Sequence, residues 1–241
     1  MNLEKTLTPN GVTNRLFCVI ALLAVAGLIA VYLETVLGFK TAFGFVQLFD
    51  LDVEFNIPSL YSSTVIFLNA LVLFSISKIT KSEGKPGGHY WKSMGFVFVY
   101  LSLDELASIH EHLDDLVAHF SKQNLIHEGE PLWILPFAVL LAIFGLYFFR
   151  FYLRLPKETK LQFFVAGAIF VAGAVGVEIL GNPSPDHPMA GFIRGLYSTL
   201  EETMEMVGMA CFLRSLLSYI VHHTQAESLT FRLERNRRNA S

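Results

Sequence analysis

The sequence predicts an all-α, polytopic integral membrane protein: a six-helix transmembrane bundle with both termini on the cytoplasmic side. Three observations carry this. Of 241 residues, 53% are hydrophobic and 16% charged, and the mean hydropathy is +0.48, values outside the usual soluble globular range. Apolar runs of about 20 residues, the length that crosses a bilayer core, recur along the chain with short links between them. The links alternate between basic and acidic.

The first span, 15–38, begins after Arg15 and stays apolar to Phe39. Ala24-Val25-Ala26 before Gly27 imitates a leader cleavage site, but the apolar run continues well past it, which suits a spanning helix better. In the link 40–56, Phe43, Phe45, Val46, Leu48, Phe49, Leu51, Val53 and Phe55 interleave with acids, predicting a segment that lies on the outer interface. Its Asp50-x-Asp52-x-Glu54 spacing lacks the glycine and distal glutamate of a calcium loop and reads as a solvated edge.

The second span, 57–79, holds Asn69, expected to make a packing hydrogen bond. The third, 89–113, carries Asp104, Glu105, His110 and Glu111, with His112, Asp114 and Asp115 as its solvated end. The fourth, 132–154, has no ionisable residue from Leu132 to Tyr147 and is expected to face lipid. The fifth, 160–181, has Gly167, Gly173 and Gly176 with Ala168 and Ala172, a small-residue pattern that predicts a central, closely packed helix, and it carries Glu178. Gly181-Asn182-Pro183 ends it. The sixth, 190–220, carries Glu201, Glu202 and Glu205. Residues 1–224 thus form one transmembrane domain and 225–241 a basic cytoplasmic tail.

Lys78, Lys81, Lys85 and Lys92 flank one link and Arg150, Arg154, Lys157 and Lys160 another, whereas Asp50, Asp52, Glu54, Asp114, Asp115, Glu128 and Glu130 fall in the links between. By the positive-inside rule the basic links and both termini are cytoplasmic, as in a bacterial inner membrane or its equivalent. Trp91 and Trp133 fall at span starts, where interfacial aromatic belts belong. Cys18 and Cys211, on different helices, are expected to be two small buried side chains rather than a disulfide. The net charge of −3 gives no footing for nucleic acid. Membrane lipids and a lipophilic small molecule or a cation are the expected partners; the oligomeric state has no signature.

The acids inside the spans demand an explanation, since a carboxylate at the centre of a bilayer helix costs roughly 2.5–3.5 kcal/mol. With a helical repeat of about 100° per residue, Asp104 and Glu111 share a stripe of span three, with Glu105 beside it. On span six Glu202 and Glu205 share another, with Glu201 one turn from Glu205. Placed by depth, Asp104, Glu105, His110, Glu111, Glu178, Glu201, Glu202 and Glu205 all fall in the outer half of the membrane, and Arg194 at the mouth is the only basic residue nearby. Oxygen-rich sites with a histidine suit iron, manganese or zinc, with calcium possible, and carboxylates from several helices of a bundle are also the ligand inventory of di-iron carboxylate proteins. The paired Glu-x-x-His of those proteins is absent, as are histidine boxes and His-Glu-x-x-His.

The sequence therefore favours these eight residues as ligands of a divalent metal. Glu111 would act as catalytic base and His110 as ligand or proton shuttle. The expected activity is a metal-dependent oxidase, hydroxylase or hydrolase acting on a lipophilic substrate. The alternative is a proton- or cation-coupled transporter or channel that uses the same acids as a relay.

Overall fold

The structure is a computed structural model that describes residues 8–53, 55–107, 109, 134–177, 180 and 187–224. Among the described residues it is all-helical, with seven α-helices: α1 (Pro9–Thr35), α2 (Phe45–Phe49), α3 (Ile57–Ser82), α4 (Gly88–Ala107), α5 (Ile134–Arg154), α6 (Lys157–Val171) and α7 (Ala190–His223). A short 3₁₀ turn, Ala42–Gly44, leads into α2, and a π-helical turn, Ala172–Val177, prolongs α6. Four helical stretches are long and apolar enough to cross a membrane: Pro9–Thr35, Ile57–Ser82, Lys157–Val177 and Ala190–His223. Their outward faces present leucine, isoleucine and phenylalanine, the reverse of a water-soluble bundle, as expected of a membrane protein.

Helix starts follow their caps rather than the first apolar residue. Thr8 accepts a hydrogen bond from the Gly11 backbone N–H at 3.1 Å, and Pro9 occupies the first turn, where its missing N–H costs nothing. α1 therefore begins six residues before the apolar run that starts at 15. Asn56 and Ser59 form a reciprocal capping box at the start of α3, with Pro58 in its first turn. At the far end of α3, Gly84 takes the left-handed φ of 65° that a helix exit commonly requires.

α7 is the hub, packed against α1, α3 and α6, and α3 packs along α4. Antiparallel α3 and α4 are pinned in one register at two places. Ser63 Oγ donates to the Ser102 carbonyl at 2.8 Å and Ser102 Oγ to the Ser63 carbonyl at 2.9 Å; fourteen residues along each helix, Ser77 Oγ donates to the Gly88 carbonyl at 2.7 Å. Asn69 is fully buried, and its Nδ2 donates to the Val65 carbonyl at 3.0 Å and across to the Met209 carbonyl of α7 at 3.2 Å, the packing role expected of it. The Ser63 and Ser102 hydroxyls also stand 3.0 Å apart, and a Ser63→Ala/Ser102→Ala double-mutant cycle, which reads that Oγ–Oγ contact, is expected to give a coupling near 0.6 kcal/mol and below about 1.7 kcal/mol, the range for hydrogen bonds between membrane helices. Unfolding in detergent measures it.

The end of the bundle where α4 begins and α7 ends is filled by rings. Trp91 meets Phe151 and Tyr219, each at 4.9 Å between centroids, Phe98 stacks on Phe212 at 4.9 Å, and Phe163 meets Phe212 at 4.6 Å. Leu73, Ile76 and Leu216 beside them are wholly buried. Trp91, 1% exposed, is thus a core residue and not part of an interfacial belt: its ring is the piece on which α4, α5, α6 and α7 converge. Trp133 lies outside the described residues.

Two further expectations are corrected and a third is met. Gly167 and Gly176 have open space where a Cβ would stand, so of the three glycines only Gly173 serves close packing, and α6 is not central; it lies on one side of α7. Cys18 is exposed and Cys211 half-buried, both as free thiols, because Cys18 lies on the outward face of α1. α5 meets the lipid-facing expectation: from Ala138 to Arg154 most of its side chains point outward, and Phe148, Phe151 and the following Leu155 tie it to the ring cluster.

Candidate functional site

Helix register sets the described α4 and α7 acids at a shared level along the bundle. α4 and α7 run antiparallel, with Trp91 against Tyr219 and Phe98 against Phe212, a step of seven residues on each. The same step of about two helical turns brings Glu105 level with Glu205, and a further turn brings Ile109 level with Glu201. Asp104, Glu105, Glu201, Glu202 and Glu205 are all partly buried. Each of the five engages a partner.

α6 closes in on the same stretch of α7. A Cβ at Gly173 would stand 2.9 Å from Met204 Cβ, 3.0 Å from the Glu201 carbonyl oxygen and 3.4 Å from Glu205 Cγ. Only glycine lets the backbones approach this closely. Gly173 sits within the π-helical turn Ala172–Val177, a local rewinding that occurs most often at functional sites. Of the other predicted ligands, His110, Glu111 and Glu178 lie outside the described residues, as do His112, Asp114, Asp115 and Glu54. Among the described residues no three His, Cys, Asp or Glu side chains stand close enough together to hold a metal ion.

A second, separate place was not legible in the sequence. Where α1 ends and α7 begins, a cleft of about 620 Å³ is lined by Glu34, Asp50, Asp52 and Arg194, with Val31 and Phe192 among its walls. Asp50 is not the solvated edge that its acidic spacing suggested, for it is only 8% exposed. Its Oδ1 accepts the Asp52 N–H at 3.1 Å, and its own carbonyl accepts the Asn56 amide, which ties this turn to the cap of α3. Phe43 and Phe55 of the same segment turn outward, but Val46 and Leu51 are buried, Leu51 in a core cluster with Ile20, Leu23 and Met206, so the segment is anchored to the bundle and does not simply lie on its surface.

Burial pushes the Asp50 carboxyl above its ordinary value of 3.8, and the nearby Asp52 and Glu34 carboxylates push the same way, against the Asp52 N–H, which favours the charged form. The folded chain thus binds this proton more tightly than the unfolded one, so a destabilising contribution grows as pH rises from below 3.8 through the raised value. Asp50→Asn keeps the acceptor and removes the charge. It is expected to melt about 2–4 °C above the wild type at neutral pH, with the difference closing as pH falls toward 3.8. Thermal unfolding across pH checks it, and a gap that widened on acidification would contradict the account.

No curated protein and no solved structure matches this chain. A family model described as "Domain of unknown function (DUF8692)" matches residues 16–220, a stretch that runs from within α1 to the last turn of α7 and takes in every acid discussed above. The chain belongs to the DUF8692 family.

Proposed function

We propose that the chain is a six-span membrane protein, with both termini cytoplasmic, whose outer half holds a divalent metal and acts on a lipophilic substrate. The supporting observation is the shared level of the α4 and α7 acids, Asp104 and Glu105 against Glu201, Glu202 and Glu205, with the π-helical turn of α6 packed on Glu201 and Glu205. Gathering carboxylates in a low-dielectric bundle raises their mutual repulsion, and a divalent cation offsets it most directly. Carboxylate oxygens with an imidazole are a donor set that iron, manganese and zinc accept, and calcium takes the oxygens alone. His110, Glu111 and Glu178 complete the proposed ligand set.

A bound metal would supply Lewis acidity or redox capacity according to its identity. The chain's own contribution would be to position the acids, to exclude water by the packed helices, and to move protons with Glu111 as base and His110 as shuttle. Iron would favour oxidation or hydroxylation, and zinc hydrolysis.

The relay reading uses the same acids but needs a polar path across the membrane. Below Glu205, α7 presents Met209, Phe212, Leu216 and Tyr219 to a cluster of rings and aliphatic side chains. That favours a site over a path. Elemental analysis of protein purified in mild detergent without chelator tests the proposal: about one or two equivalents of iron, manganese or zinc support it. Metal-free protein that conducts protons in liposomes would establish the relay instead.

A further inference from the structure

The open cleft between α1 and α7 is lined by an arginine and three carboxylates, Arg194 with Glu34, Asp50 and Asp52. Oppositely charged side chains around one cavity ordinarily close on each other. Here, among the described residues, Arg194 forms no ion pair with Glu34, Asp50 or Asp52. The three acids come from the end of α1 and the Asp50–Asp52 turn and the guanidinium from the first turns of α7, so the two signs of charge reach the cleft from different elements. A ligand that bridges them must carry both signs.

The surroundings indicate what that ligand is attached to. Phe39 is 57% exposed, Phe43 fully exposed and Phe55 75% exposed, all on the segment that forms one wall of the cleft. Large aromatic groups turned outward beside a polar site belong at the headgroup level of a bilayer. Guanidinium groups favour the planar, paired contacts that phosphate oxygens offer.

We propose that this cleft binds a headgroup bearing both an ammonium and a phosphate, the ammonium against Glu34, Asp50 and Asp52 and the phosphate on Arg194. The chemistry is that of phosphoethanolamine, whether as a lipid headgroup or as the free zwitterion. The site shares no residue with the proposed metal ligands and stands or falls apart from them.

The test is binding of short-chain phosphatidylethanolamine to the full chain in detergent, with phosphatidylglycerol, which lacks the ammonium, as comparison and O-phosphoethanolamine as competitor. Wild-type protein is expected to prefer phosphatidylethanolamine by about tenfold, one charge-assisted contact's worth. Arg194→Gln is expected to weaken binding of both lipids, whereas Asp52→Asn and Glu34→Gln remove the preference between them. All three residues are exposed, so folding should survive, and unchanged melting temperatures verify that; Glu34, on a different element from Asp52, keeps the test decisive if one variant fails. Competition by O-phosphoethanolamine would identify the free zwitterion as sufficient, and absence of competition would identify the lipid. Equal binding of the two lipids by wild type, or wild-type behaviour in all three variants, overturns the proposal.

Discussion

Glu205→Gln is expected to lose metal affinity by at least about tenfold, so that protein purified without chelator carries almost none. Glu205 lies level with Glu105 of α4 and packs beside Gly173 of the π-helical turn that prolongs α6. Glutamine preserves its length and packing but neither the negative charge nor the second acceptor oxygen, so the change tests ligation rather than shape. Expression and melting temperature should move little. Glu34→Gln is the control, because Glu34 lines the separate cleft beside Arg194; it should leave metal content unchanged. Equal retention in Glu205→Gln and wild type would remove Glu205 from the site.

Gly208→Val is expected to destabilise the fold more than any single acid substitution. A Cβ at Gly208 would stand 2.9 Å from both the Cβ and the backbone N of Phe170 and 3.0 Å from the Ala166 carbonyl oxygen. These are mostly backbone atoms of α6, which cannot swing aside, so α6 and α7 must separate. Overpacking of this kind costs about 1–3 kcal/mol, sometimes more, and a detergent melt should show it as a clear fall in midpoint. Gly167→Ala on the outward face of α6 is the comparison, since nothing stands within 4 Å of its Cβ position; it should be neutral or gain about 0.5–1 kcal/mol from helix propensity. Because the same interface sets Gly173 against Glu201 and Glu205, Gly208→Val should also shed metal before it unfolds. Similar melts for the two variants would show that α6 does not pack on α7 in this way.

Helix positions were legible because about 20 apolar residues in a row have few other uses. What each helix faces was not legible, because lipid and protein interior are equally apolar, and a hydrophobic pattern cannot tell them apart. Trp91 illustrates this: its place at the start of a run fits an interfacial belt as well as a core, and only the rings of Phe151, Phe163 and Tyr219 decide. The glycines of α6 fail for the same reason, since spacing shows where close approach is possible and not where a neighbour stands. Asp50 was misread because its partners, Asn56 and the cap of α3, act through the backbone. The acids of α4 and α7 were legible as a group because charge in a membrane helix needs a cause, while their common level required the ring pairs.

If the acids form the proposed site, the ring-filled end of the bundle would make this chain electrically one-sided. Carrying a unit charge across a membrane held at 100 mV involves about 2.3 kcal/mol, and an unbroken file of acids would let that voltage discharge. Trp91, Phe98, Phe163 and Phe212, backed by Leu73, Ile76 and Leu216, stand as an insulating floor beneath the carboxylates. Protons consumed or released at the proposed site would then be exchanged with a single compartment, so its turnover would follow the pH of one side and leave the stored voltage intact.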